Sequence, residues 1–508
     1  MISAPILLFA LKPRASRGDR KAHGKRQSFA FVCPAHPVPA HSGCLRQAVF
    51  GILPSTPFGL RPRRKATRFA GGRLLARFLP NVRLRVSFHT TGGPTGEQTW
   101  ESAPAMNGIL TVGPITFIWR RVMKIKEIRA VHVDLPAKKA SAIGRRDPWG
   151  KNDEVANPMS KFPAYKRHRS LWQPQWGGVW VQAIAEDGTF GLGQTTFGRP
   201  VAAIVDDHFG PLLAGESCFA IEKCWEMMFC MSKPYGSTGL TACAMSGVDL
   251  ALWDLVGKLQ KKPVYELMGG PVKDRIFCYA TGNDTDWQLE LGFKAVKLAC
   301  PYGPADGLKG LNDNERLIAK TRELVGDGVE IMLDCYMAFD VAYTIRLAQR
   351  LKPYGLKWIE EYLIPEDIDG HRAVREAINW MDLASGEHLY TPWPYMQLIR
   401  DKSLDILQPD IKWVGGLTPC IKIAHMAEAA GLDVMLHGGG GNAYGQHFTF
   451  ATSNAPWAEC FIGSAPGIPL EDVAGSGQAV PKEGWLVPFD APGFGIEVSE
   501  KWIQPFQY

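Results

Sequence analysis

Residues 330–361 read EIMLDCYMAFDVAYTIRLAQRLKPYGLKWIEE. Two apolar runs of strand length, Glu330–Cys335 and Leu356–Glu361, flank an amphipathic helix over Ala342–Leu351. A strand, a helix and a second strand in so short a span predict parallel strands joined by a crossover helix. The rhythm continues in both directions. Further strands are predicted at Ile276–Thr281, Ala295–Cys300, Asp382–Glu387, Asp405–Pro409, Asp433–His437 and Glu459–Gly463, with helices at Asn314–Leu324, His371–Trp380 and Pro419–Ala430. Alternating β and α of this kind argues for a parallel sheet. Eight such strands close into a barrel, whose chemistry sits at the C-terminal strand ends.

Ionisable residues stand at those ends. Asp334 ends Ile-Met-Leu-Asp, Glu360 and Glu361 end Lys-Trp-Ile-Glu-Glu, and Glu387 ends Ala-Ser-Gly-Glu. Asp410 ends Leu-Gln-Pro-Asp, His437 ends Val-Met-Leu-His, and Glu459 sits in Trp-Ala-Glu-Cys-Phe. From Asp334 through Glu360, Glu387, Asp410 and His437 to Glu459 the steps are 26, 27, 23, 27 and 22 residues, each one βα unit. Six ionisable groups would therefore converge on one rim. Any single strand-end acid could be a helix N-cap, but a cap need not recur at every unit. Three carboxylates on adjacent strands form a hard oxygen site suited to Mg²⁺. A His with an Asp one strand away reads as a base held in orientation by its carboxylate.

The rest of the chain divides by charge. The 508 residues carry a net +7, but residues 1–122 hold 19 Lys or Arg against only Asp19, Glu97 and Glu101. That segment is +16 and residues 123–508 are −9, so the basic total does not mark the protein as a nucleic-acid binder. Residues 1–122 are rich in Arg, Pro, Gly and Ser without sustained periodicity, and are expected to be a basic extension of low order. Three readings stay open: translated upstream sequence with Met123 as the true start, an organellar transit peptide, or a basic tail for anionic surfaces. The uncharged run Ser102–Trp119 contains two Pro, two Gly and an Asn, which argues against a membrane span. Apolar residues at 46% and charged residues at 21% suit a soluble enzyme. Eleven Cys occur with no Cys-x-x-Cys pair, which fits a reducing, cytoplasmic setting without disulfides or a zinc site.

Several stretches carry a family resemblance. They are Asn157-Pro-Met-Ser-Lys161, Ser246-Gly-Val-Asp-Leu-Ala-Leu-Trp-Asp254, Tyr279-Ala-Thr-Gly282, Leu333-Asp-Cys335, Lys357-Trp-Ile-Glu-Glu361, Ser385-Gly-Glu-His388, Gln408-Pro-Asp410, Gly415-Gly-Leu-Thr418 and Pro492-Gly-Phe-Gly-Ile-Glu497. From about Met123 to the C-terminus the chain resembles the mandelate racemase subgroup of the enolase superfamily, and within it the rhamnonate dehydratases. The resemblance implies an α/β fold: an α+β N-terminal capping domain over 123–255, a modified (β/α)7β TIM barrel over 256–480, and a segment over 481–508 that returns to the cap. It implies Mg²⁺ held by Asp334, Glu360 and Glu387, with Glu361 as a supporting acid. His437 and Asp410 match the family's base dyad. Glu459, protonated, matches an electrophilic acid, and Lys297 the first Lys of a Lys-x-Lys pair. A mouth salt bridge is the alternative role for Lys297. Ala299 replaces the second Lys, which disfavours a racemase or epimerase.

The implied reaction is dehydration of a sugar acid to a 2-keto-3-deoxy acid by a homo-oligomeric enzyme. Substrate contacts are expected at Arg169, at His388 and at Glu154, which stands where the rhamnonate group has a His. That departure admits L-lyxonate or L-mannonate beside L-rhamnonate. The long loop Gly144–Gly178 carries Arg145, Arg146, Arg167, His168 and Arg169, expected to meet the anionic substrate. The other class of reading is a barrel kept as a binding protein, against which the base dyad argues, since binding alone needs no base.

Overall fold

The computed structural model describes residues 108–112, 115–119, 122–136, 138–151, 154–166 and 172–508. Arg167, His168, Arg169 and all of residues 1–107 of the basic segment 1–122 lie outside the described residues. Part of the 102–119 run departs from the expectation of low order. Strands β1 (Gly108–Val112) and β2 (Ile115–Trp119) pair antiparallel. Each is a short run rich in β-branched residues, β2 with two aromatics besides, and only Gly-Pro separates them, so the run is punctuated as a hairpin.

The cap begins with β3 (Ile125–Val133), β4 (Gly178–Ala185) and β5 (Phe190–Thr196), an antiparallel meander. Four helices follow: α1 (Gly198–Ile204), α2 (Gly210–Leu213), α3 (Ile221–Met231) and α4 (Leu240–Gln260). Among the described residues α4 is the one helix long and apolar enough to cross a membrane, yet 89% of its apolar window is buried in the fold. It is apolar all round because it lies between the cap sheet and the barrel. Its approach to β5 is very close: a Cβ on Gly193 would stand 2.0 Å from the Gly247 carbonyl oxygen.

After α5 (Val264–Leu267) the βα alternation starts. It runs β6 (Ile276–Thr281), α6 (Thr285–Glu290), β7 (Ala295–Ala299), α7 (Gly307–Val325), β8 (Glu330–Asp334), α8 (Val341–Leu351), β9 (Trp358–Glu360), α9 (Ile368–Ala377) and β10 (Asp382–Ser385). It continues α10 (Pro392–Asp401), β11 (Ile406–Leu407), α11 (Leu417–Ala429), β12 (Asp433–Val434), α12 (Ala443–Ala451) and β13 (Trp457–Phe461). This is seven βα units and a closing strand. All eight strands are parallel, in spatial order β12-β11-β10-β9-β8-β7-β6-β13. Tyr279, Ala295, Met332, Trp358, Ala384, Ile406 and Met435 pack together inside, with Phe277 and Trp457 against them. Residues on or beside every strand therefore meet in one lumen, which the helices surround.

Beyond the barrel come α13 (Leu470–Val473), then β14 (Trp485–Leu486), antiparallel to β6, and β15 (Ile503–Pro505), antiparallel to β3. Several element boundaries differ from the sequence reading: α7 starts at Gly307, seven residues before Asn314, and β10, β11 and β12 end earlier than read. β13 starts at Trp457, so Glu459 lies mid-strand, because Trp457 points into the lumen and extends the ladder to Phe277. α9 starts at Ile368, because the Asp367 side chain accepts from Gly370 N–H and caps it there.

Candidate active site

The barrel register sets the polar residues side by side. Ala299 pairs with Asp334, Asp334 with Glu360, and Glu360 with Ala384, so the ends of β7 to β10 form one row. Glu387 follows β10 across Gly386, Asp410 follows β11 and His437 follows β12. None of these acids caps the helix that follows it. The side chains of Asp340, Asp367 and Asn442 cap α8, α9 and α12 instead. That frees the strand-end acids for the lumen.

One half of the site is organised by Lys297. Its side chain is fully buried, and its ammonium contacts Glu360, lies 2.8 Å from Glu459 and 3.7 Å from Asp334. Trp358 and Gln408 donate to the other Glu360 oxygen at 2.9 and 2.7 Å. Burial raises the Glu360 carboxyl to about 7, outweighing the pull of Lys297. Glu459 accepts from the Thr281 hydroxyl and from Gly438 N–H at 2.8 Å. Burial would raise it, but Lys297, His437 and the hydrogen bonds hold it down to about 2. Against the expected protonated acid, the Lys297 ammonium at 2.8 Å favours the Glu459 carboxylate.

The other half is organised by histidines. His437 Nδ1 and Asp410 Oδ2 are 2.7 Å apart, and His437 Nε2 is 3.4 Å from Glu387. Asp410 Oδ1 accepts from Lys412 N–H at 2.7 Å, which fixes the carboxylate plane. His388 Nδ1 lies 3.0 Å from both Glu361 oxygens and 3.4 Å from Glu387. His388 is thus a partner of two site acids. Burial would lower His437, but Glu387, the Asp410 bond and Glu459 raise it to about 10. Burial and the neighbouring Glu361 raise Glu387 to about 8. The His437 ring packs on Trp413 at 5.1 Å, and Trp413 reaches His388 at 5.5 Å and Phe197 of the cap at 6.5 Å.

The donor chemistry fits a divalent cation. Asp334, Glu360, Glu361, Glu387, Asp410 and Glu459 face one lysine and two histidines, an excess of buried negative charge that a hard cation compensates. The expected metal set is only partly drawn together. Asp334 and Glu360 stand side by side beneath Lys297, while Glu387 shares a cation-sized cluster with Glu361 and His388, their donor atoms within 4.8 Å of one another.

The described part of the cap loop uses its arginines differently from expectation. Arg146 Nη2 is 2.7 Å from both Asp284 and Asp286, and Arg145 Nη2 is 2.7 Å from Glu290. Trp149 N–H donates to Asp284 at 2.8 Å, and its indole N–H donates to the Ile462 carbonyl at 3.2 Å. Arg145 and Arg146 therefore fasten the loop to acids on and just before α6. Glu154 is half-buried two residues before Ala156, whose N–H donates to the Cys300 carbonyl just past β7 at 2.8 Å. Arg169 lies outside the described residues. Sequence reasoning missed Trp413, Gln408 and Thr281 as site residues. Gln408 and Thr281 stood inside quoted motifs, but nothing in their residue type announced a charged neighbour.

A capped parallel barrel with acids, a buried lysine and a His–Asp pair on its C-terminal rim defines the enolase type of site. Family models described as "Mandelate racemase / muconate lactonizing enzyme, N-terminal domain" and "Enolase C-terminal domain-like" match residues 175–269 and 285–502. The chain belongs to this mandelate racemase/muconate lactonizing enzyme family of the enolase superfamily. Over 383 residues it is 39% identical to an L-rhamnonate dehydratase of Saccharopolyspora erythraea, covering 74% of this chain and 97% of that one. The crystal structure of L-rhamnonate dehydratase from Gibberella zeae superposes with a TM-score of 0.70 at 33% identity, covering 76% of this chain and 97% of that chain. A second structure of the Gibberella zeae enzyme, complexed with Mg, gives the same TM-score and identity over 76% of this chain and 96% of that one.

Proposed function

We propose that this chain is a Mg²⁺-dependent dehydratase of an L-rhamnonate-like aldonic acid, yielding the 2-keto-3-deoxy acid. The observation that carries the reading is the His437–Asp410 pair at 2.7 Å beside Glu387, with buried Ala299 where a second base would stand. Base on one face only suits elimination better than inversion at C2.

A proton α to a carboxylate is weakly acidic, and Mg²⁺ held by Asp334, Glu360 and Glu387 would supply the charge that stabilises its loss. Glu387 is the largest upward pull on His437, and charge drawn from it by Mg²⁺ would free the neutral ring to take the C2 proton at Nε2. Asp410 accepts from Nδ1–H, fixes the ring and stabilises the imidazolium. Lys297, anchored by Glu360 and Glu459, places an ammonium donor where charge builds on the substrate carboxylate. The His437 imidazolium returns its proton to the departing 3-hydroxyl, which leaves as water. The enol so formed tautomerises to the keto acid.

The test is a panel of aldonic acids, L-rhamnonate, L-lyxonate and L-mannonate among them, scored for keto-acid product with Mg²⁺ and with EDTA. Product that needs Mg²⁺ is expected. No turnover of any five- or six-carbon acid rejects the reading, and product from L-lyxonate alone corrects the substrate. Assembly as a symmetric homo-oligomer and a cytoplasmic location go with the same reading. Light scattering and cell fractionation read them.

A further inference from the structure

Two of the quoted motifs, far apart in the chain, interlock at the joint between cap and barrel. The first lies on α4. Its Ser246 Oγ accepts from Gly415 N–H at 2.8 Å. Asp249 accepts from Thr418 N–H at 2.9 Å and from the Thr418 hydroxyl at 2.6 Å. Trp253 Nε1–H donates to the Thr418 hydroxyl oxygen at 3.0 Å. The second motif, Gly415–Thr418, is shaped to receive them: Gly416 has φ +102°, and a Cβ there would stand 2.4 Å from Asp249 Oδ2. Trp225 of α3 donates to the Gly415 carbonyl at 2.9 Å, and Thr195 of β5 donates to the Lys412 carbonyl at 2.7 Å. Ser246 and Asp249 are fully buried, so a lost partner there is not replaced by water.

The loop held in this way starts at Asp410. Trp413 N–H and Val414 N–H both donate to the Asp410 carbonyl, at 3.0 and 2.8 Å, and Lys412 N–H donates to its side chain. The loop also carries Trp413 against the His437 ring. We infer that Ser246 and Asp249 are positioning residues for the Asp410–His437 dyad, acting by clamping the loop 411–418 between α4 of the cap and the barrel rim. The role assigned to the dyad rests on the dehydratase reading; the clamp itself does not. The cap thereby sets the orientation of the base from behind, through contacts that never reach the substrate.

The test compares Asp249→Asn and Thr418→Val with two controls. Asp254→Asn is an equally buried change on α4, but it turns an NH₂ toward Leu192 or Phe494 N–H and removes the Lys258 ion pair, leaving the loop's contacts in place. Thr418→Ser keeps the hydroxyl. The clamp predicts that Asp249→Asn and Thr418→Val lower kcat roughly ten- to a hundredfold while KM and the Mg²⁺ requirement stay within about threefold. Asp254→Asn should lower Tm and keep kcat, and Thr418→Ser should restore kcat. Parental kcat in Asp249→Asn and Thr418→Val overturns the inference, as does a kcat that simply tracks Tm through all four variants. If the unmodified protein turns over no aldonic acid, the dehydratase reading fails and hydrogen exchange decides the clamp. Faster exchange across residues 408–418 in Asp249→Asn than in Asp254→Asn supports it, and equal exchange refutes it.

Discussion

Asp410→Asn is close to isosteric, and the structure makes it severe. Asp410 Oδ1 accepts from Lys412 N–H at 2.7 Å, and Oδ2 faces His437 Nδ1 at the same distance. In the amide, the Lys412 N–H claims the carbonyl oxygen, because an NH₂ there would set donor against donor. The NH₂ must then face His437 and donate to Nδ1. That places the imidazole proton on Nε2, the nitrogen that should receive the C2 proton. The base is blocked without losing its position. Carboxylate-to-amide swaps behind a catalytic histidine cost roughly 10³–10⁴ in rate, about 4–5 kcal/mol of transition-state stabilisation. The assay is keto-acid formation at saturating Mg²⁺, with Mg²⁺ binding and Tm measured alongside. Both should stay near parental values, since neither the charge cluster around Lys297 nor the core changes. Activity within tenfold of the parent would refute the tautomer argument and with it the orientation role of Asp410.

Other outcomes follow from buried groups elsewhere. His447 Nδ1 accepts from Tyr265 N–H, and burial lowers the ring to about 3, below its ordinary 6.5. The unfolded chain binds the proton first, so stability is full above about pH 6.5 and falls as pH drops through the window toward 3, by about 2 kcal/mol between pH 7.5 and 5. His447→Asn keeps an acceptor near Nδ1 and should flatten the fall of Tm over that range; an unchanged pH slope counts against the assignment. Gly193→Ala would set its Cβ 2.0 Å from the Gly247 carbonyl, a backbone atom that cannot swing away, and should cost about 3 kcal/mol or more. A parental melting curve for that variant would show that α4 does not press on β5. Lys297→Met leaves Glu360 and Glu459 buried without their partner, a loss of about 3–5 kcal/mol. Its Tm should therefore rise more on adding Mg²⁺ than the parent's, while product formation is lost; equal Mg²⁺-induced shifts would contradict the charge count.

Strand-end chemistry was the most legible part of the sequence, because an apolar run closed by one acid or His is a local pattern repeated at each unit. The pairing of His437 with Asp410 was suggested by a His and an Asp closing adjacent units and by the family resemblance. What escaped was set by partners distant in sequence. Glu459 looked like an acid that could hold a proton, but its ionisation depends on Lys297, 162 positions earlier. The loop arginines 145 and 146 looked free for an anionic ligand until Asp284, Asp286 and Glu290 appeared on the facing rim. The motif Ser246–Asp254 was visible as a signature, yet its hydrogen bonds reach across roughly 170 residues to a loop whose course no local rule dictates. The hairpin at 108–119 was hidden by the basic composition around it.

The pairing of β15 with β3 has a consequence for how the protein is made. The cap sheet takes one of its strands from Ile503–Pro505, while its other three lie before residue 197. On the ribosome, β3 to β5 emerge early and then wait through the synthesis of the whole barrel before that edge is covered. Until then β3 offers a row of unpaired backbone donors and acceptors, the kind of edge that invites pairing with another nascent chain. A bulky group fused at Tyr508, or a shortened C-terminus, would prolong that interval and send more product into aggregates, even though it lies outside the strand-end row that carries the chemistry.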